Sequence, residues 1–141
     1  MSSRLLNPPQ KVCMTSQVEE VEFGVGYKLY REFGESEIRL VAKKIDPYDQ
    51  ANYSMRVVEI TRDNVLRLYR RWSFPWDWGE KIILEVRLEH TSAEKVRNYI
   101  RRVQSLSDYD KVAYWLLTAR YRVMPSGEAV IDNEVREPRI L

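Results

Sequence analysis

The sequence predicts an α+β fold, a two-layer sandwich with two or three helices on one face of a mixed, mostly antiparallel sheet of about five to seven strands. Three observations lead there. Segments near 20–29, 38–42, 53–60 and 80–90 alternate apolar with polar residues, the pattern of half-buried strands. Stretches at 65–72 and 92–103 place apolar residues at helical spacing behind capping residues. At 141 residues, the chain has the size of one domain and buries a core without disulfide or metal staples.

Taken in order, residues 1–17 contain Pro8-Pro9 and no sustained period, so an extended N-terminal arm is expected, with a single α+β domain over 18–135 and a free C-terminal tail over 136–141. Val21, Phe23, Val25, Tyr27 and Leu29 alternate with Glu20, Glu22, Gly24, Gly26 and Lys28 as one strand. Gly24 and Gly26 leave its outer face bare, which signals a bend, a bulge or a close approach. Turn chemistry at 33–37 then leads to Ile38, Leu40 and Ala42, a hairpin partner. After Asp46-Pro47-Tyr48-Asp49 the stretch Tyr53 to Ile60 is a further strand. Thr61, Asp63 and Asn64 read as a helix start, followed by Val65, Leu68, Tyr69 and Trp72 at helical spacing.

Pro75 stops that helix, leaving an aromatic loop of Phe74, Trp76 and Trp78. Glu80 to His90 is the clearest strand, with Ile82, Leu84, Val86 and Leu88 on one face. Thr91-Ser92-Ala93-Glu94 reads as a capping box before the stripe Val96, Tyr99, Ile100 and Val103. A short helix capped at Ser107-Asp108 is expected through Trp115, although 114–123 also fits a strand, and Pro125-Ser126-Gly127 makes a second hairpin. Glu59-Ile60-Thr61 with Arg67, Tyr69 and Arg71 recurs thirty residues later as Glu89-His90-Thr91 with Arg97, Tyr99 and Arg101. A duplicated strand-helix unit would lay two strands parallel with both helices on one side; the plainer explanation is that two strand-to-helix turns chose similar caps.

Composition excludes several classes of function. An apolar fraction of 44%, a charged fraction of 31% and few Gly and Pro exclude disorder and collagen-like repeats. With 23 basic against 21 acidic residues the net charge is +2, so a polyanionic partner must be recognised through local clustering. Arg, Glu and Tyr are abundant, a thermophile-like mixture suited to ion-pair networks. The lone Cys13 has no disulfide partner and no neighbouring base. No run approaches the roughly 18 apolar residues of a membrane span, and the first twenty lack a signal-peptide core, so a cytoplasmic protein with no membrane partner is expected.

No phosphate-cradling glycine loop, nucleophile elbow or metal-ligand cluster occurs, so no cofactor, no metal and no catalytic residue are assigned. The single histidine, His90, closes a strand, and a simple acid-base enzyme or small-ligand site near His90 and the Trp76 loop is one alternative. The stronger signal is arginine interleaved with aromatic rings: Arg67, Tyr69, Arg70, Arg71, Trp72, Phe74, Trp76 and Trp78, with Tyr69 and Trp72 assigned to the helix stripe and the core, joined by Lys95, Arg97, Arg101 and Arg102 of the next helix. Cations neutralise phosphates while flat rings stack on unpaired bases, so the expected role is a non-enzymatic binding module for RNA, single-stranded nucleic acid or a nucleoprotein assembly. The same aromatic loop suits a protein–protein contact or a homodimer, because Trp and Tyr dominate the energetic centres of interfaces. The nucleic-acid reading requires both arginine sets to project from one side of the molecule.

Overall fold

The computed structural model of the chain describes residues 16–34, 37–45, 51–132 and 137–140. Alternation produces six strands: β1 Ser16–Gly24, β2 Tyr27–Gly34, β3 Glu37–Ile45, β4 Tyr53–Thr61, β5 Val65–Phe74 and β6 Asp77–Arg87. They pair in sequence order as one antiparallel meander, each strand meeting its chain neighbour across a short connection. Helices α1 His90–Arg102 and α2 Leu106–Thr118 follow, then a small hairpin of β7 Tyr121–Val123 and β8 Ala129–Ile131. The α+β sandwich is thus the observed architecture. Among the described residues no helix is long and apolar enough to cross a membrane.

The sheet buries its two faces differently. Leu29, Ile38, Leu40, Val58, Ile60, Leu66 and Leu68, at alternate positions, meet Val96, Ile100, Val112, Trp115 and Leu116 of the helices in the main core. On the opposite face Val41, Val57 and Tyr69 form a small apolar centre, roofed by long charged side chains whose stems cover it. Arg67 bridges Glu59 at 2.7 Å and Glu85 at 2.6 Å, while Arg39 pairs with Glu32 and Glu37 at 3.0 Å and donates to the Tyr69 hydroxyl at 2.9 Å. Glu59 is buried in this lattice, where a lone carboxylate would be costly. The uncovered face is therefore largely neutralised.

Several expectations are corrected. Residues 65–72 are a strand, not a helix: Thr61 to Asn64 form a tight turn, with the Asn64 N–H donating to the Thr61 carbonyl at 3.0 Å and Asn64 at φ 65°, a conformation that asparagine tolerates and that folds β5 back on β4. The duplicated strand-helix unit and its parallel strands fall with that helix; the parallel contact observed is the bridge from Leu88 to Ala129. The single strand expected over 20–29 is broken at Val25-Gly26, where Gly26 adopts φ 78° and reverses the chain. A bulge at Ile83 shifts the register, so Leu84 opposes Leu68 while Ile82 opposes Tyr69. Ile82 consequently leaves the core face assigned to it.

The first helix begins two residues early. Glu89, not Thr91, caps α1 by accepting from the Ser92 N–H at 2.6 Å, and Glu94 pairs with Arg97 instead of closing a box. The Thr91 and Ser92 backbone N–H groups, Thr91 foremost, hold the Glu89 carboxyl below its ordinary value. A lowered pKa stabilises the fold above the ordinary glutamate range, and that contribution is lost as pH falls from there through the lowered folded value. Glu89→Gln is expected to cost about 1 kcal/mol at neutral pH, with the gap to the native chain closing in acid, as read by urea unfolding across pH.

Residues 106–118 are helical, with Ser105 accepting from the Asp108 N–H at 3.0 Å, and the strand character of 114–123 survives only in β7. Ser16 and Gln17 belong to β1 instead of the arm; the rest of the expected arm, including Cys13, and the loop 46–50 lie outside the described residues. The expected free tail is docked over its described part: Glu137 accepts from Lys95 at 2.8 Å and from the Tyr99 hydroxyl at 2.9 Å, and Ile140 enters the core.

Candidate nucleic-acid interface

The helices cover only part of the sheet's inner face, and beyond α2 the strand ends form a cleft of about 660 Å³, within the size range of ligand sites. Two rungs running across the strands build it. In one, Tyr27 opposes Lys44, Lys44 opposes Ser54, Ser54 opposes Trp72 and Trp72 opposes Gly79; in the next, Ala42 opposes Arg56, Arg56 opposes Arg70 and Arg70 opposes Lys81. Cross-strand partners share a face, so Arg56, Arg70 and Lys81 stand side by side, an arrangement that costs stability through like-charge repulsion. Five of the lining residues are basic and none is acidic.

The aromatic wall depends on two glycines. A Cβ on Gly79 would lie 2.8 Å from Trp72 Cζ2, and one on Gly24 would overlap the Tyr27 ring; both rings lie across the neighbouring strand where glycine leaves room. Trp72 Nε1 donates to Asp77 Oδ2 at 2.9 Å, fixing the indole. Phe74 stacks on Trp76 with centroids 5.4 Å apart and planes at 11°. Trp76 is 80% exposed, so one side of this stack is open.

Partnering separates the cations. Lys44 and Arg70 make no ion pair among the described residues. Arg56 pairs with Asp110 at 3.3 Å and lies over the Tyr109 ring, 5.3 Å from its centroid; burial pushes the Tyr109 phenol up, so it is neutral beneath that charge. Lys43 and Arg71 contribute to the lining but send their charges to the other face, Lys43 over Tyr53 and Arg71 to Glu80 at 2.9 Å. The hydrogen bond to Glu80 raises the Arg71 pKa.

Of the ten residues picked from sequence, Arg70, Arg71 and Phe74 line the cleft, and Trp76 adjoins it through its stack on Phe74. Trp78, 81% exposed, opposes Ser73 and stands on the uncovered face. Arg67 is locked between Glu59 and Glu85, the hydrogen bond to Glu85 being the larger cause of its raised pKa. The α1 set is placed elsewhere: Lys95 is held by Glu137, Arg97 reaches the Thr61 carbonyl and Asn64 Oδ1 at 2.7 Å each, Arg101 reaches Asn98 at 3.2 Å and Arg102 covers Tyr99. Arg97 thus ties α1 to the β4–β5 turn, one β5 length, roughly 30 Å, from the Phe74 end of the sheet.

The two arginine sets therefore do not converge, which corrects the common surface expected of them. His90 borders a different hollow with Thr61, Arg97 and Arg101, which the Trp76 loop does not line. Tyr27, Lys44 and Arg56 were missed as site residues and Trp72 was assigned to the core; the Gly24 signal pointed to Tyr27. Among the described residues no group of three or more His, Cys, Asp or Glu is placed to hold a metal ion. Comparison with family models, with curated proteins and with solved structures finds no match.

Proposed function

We propose that this chain is a non-enzymatic binding module that holds single-stranded nucleic acid, RNA foremost, in the cleft between Tyr27 and Phe74. The observation that carries the reading is the adjacent pair Arg56 and Arg70, with Lys44 on the next rung, beside Tyr27, Trp72 and Phe74, with no carboxylate among the lining residues. A row of like charges is destabilising in the free protein, and phosphate oxygens would relieve it. Rings of the neighbouring rung offer stacking surfaces for bases at about 1–3 kcal/mol each, a sequence-tolerant mode of binding. Paired duplex hides its base faces, so a single strand is the better fit.

Fluorescence anisotropy with a labelled single-stranded RNA tests the site. Replacing Lys44 and Arg70 together by Ala is expected to weaken binding about tenfold, and Trp72→Ala to weaken it by a similar factor. Arg101→Ala, on α1 outside the cleft, is expected to leave binding unchanged. Equal losses at Arg101 and Arg70, or none at either, would remove the cleft from the account.

A further inference from the structure

We infer that the outer edge of β6 joins two copies of this chain by antiparallel strand addition. β6 ends the sheet, and among the described residues nothing pairs with its far edge from Asp77 to Arg87; Ala129 takes up the edge only beyond it, at Leu88 and Glu89. Eleven residues of unpaired edge are a template for another strand, and monomers usually blunt such edges by shortening or covering them. This edge is long, and its middle carries Ile82 and Ile83, 52% and 46% exposed.

A second copy is the occupant because the edge complements itself. The bulge leaves Glu80, Ile82, Glu85 and Arg87 on the uncovered face, opposite Arg71, Tyr69, Arg67 and Val65. A second β6 running antiparallel must match faces as well as ladders. The two-fold register that sets Ile82 against Glu85 and Glu80 against Arg87 does both, and it brings Ile83 of each copy beside Leu84 of the other. Arg87 has no ion-pair partner among the described residues; here it meets Glu80 of the second copy, twice by symmetry. Shifting the register by one residue mismatches the faces, and the two-residue shift toward Asp77 sets Glu80 against Glu85. The outcome is one continuous sheet across both copies.

Sedimentation velocity of the full chain without nucleic acid, over a concentration series, tests this. The expected result is a reversible monomer–dimer equilibrium that Ile83→Lys weakens at least tenfold while the circular dichroism spectrum and melting temperature stay native. Glu80→Arg and Arg87→Glu should each weaken the dimer, and the double exchange should restore it, which protects the test should Ile83→Lys misfold. A chain that sediments as a monomer at every concentration, or a dimer indifferent to both Ile83→Lys and the charge exchange, overturns the inference.

Discussion

Trp115→Ala is expected to destabilise the fold by about 4 kcal/mol, the upper range for removing a large buried aromatic, and to lower the melting temperature by about 12 °C for a chain of this size. Trp115 sits fully buried on α2 and meets Tyr99 of α1 at 4.9 Å with the rings tilted at 58°. It is the main aromatic wedge holding the two helices together over the sheet. Its Nε1 has no hydrogen-bond partner among the described residues, and a buried unpaired donor costs roughly 1–3 kcal/mol. Trp115→Phe keeps much of the volume and deletes that donor, so its net cost should stay below about 2 kcal/mol. Urea unfolding with an unchanged m-value is the measurement; equal losses for Ala and Phe would contradict this reading.

Arg31→Met is expected to cost about 3 kcal/mol, or about 10 °C in melting temperature. Arg31 is only 7% exposed, and it reaches from β2 to the end of α1, donating to the Ile100 and Val103 carbonyls at 2.7 and 2.8 Å. The last carbonyls of a helix lack intrahelical partners, and a cation there also meets the negative end of the macrodipole. Glycine usually closes a helix with a left-handed residue, whereas Val103 is extended and Arg31 does the capping from across the core. Methionine matches the stem but leaves both carbonyls unpaired. Glu19, which pairs with Arg31 at 2.6 Å from a more exposed position, should matter less, and Glu19→Gln is expected to cost under about 1 kcal/mol.

Strict alternation made most of the sheet legible. Ile38, Leu40 and Ala42 on β3 and Leu84, Val86 and Leu88 along β6 and just beyond it present apolar side chains to the helices at alternate positions, and period two was enough to read them. It failed at 65–72 because β5 is apolar on both sides: Leu66 and Leu68 face the helices while Tyr69 anchors the opposite cluster. That double burial blurs the alternation and leaves Val65, Leu68, Tyr69 and Trp72 at helical spacing by coincidence. The deciding residue was Asn64, whose left-handed backbone makes a hairpin of what looked like a helix cap.

About half of the candidate site could be read the same way. Arg70, Phe74 and Trp76 lie within one stretch whose aromatic and basic interleaving is visible in the sequence. Tyr27, Lys44 and Arg56 come from three other strands, and they join the cleft only because Tyr27 opposes Lys44 and Arg56 opposes Arg70. Register is a property of strand pairing, set by turns such as Val25-Gly26, so no local pattern carried it. Arg67 and Arg71 were misjudged for a related reason: on a strand, odd and even residues part company, and their carboxylate partners on β4 and β6 appear only once the sheet is assembled.

Affinity for a labelled single-stranded RNA, followed by anisotropy between about 50 and 200 mM salt, tests the central claim most directly. If Lys44, Arg56 and Arg70 each neutralise a phosphate, log affinity should fall against log salt with a slope of about −2, and Arg70→Ala should make that slope shallower by about 0.7. Absent binding at the lowest salt, or an affinity indifferent to salt and to Arg70, would contradict it.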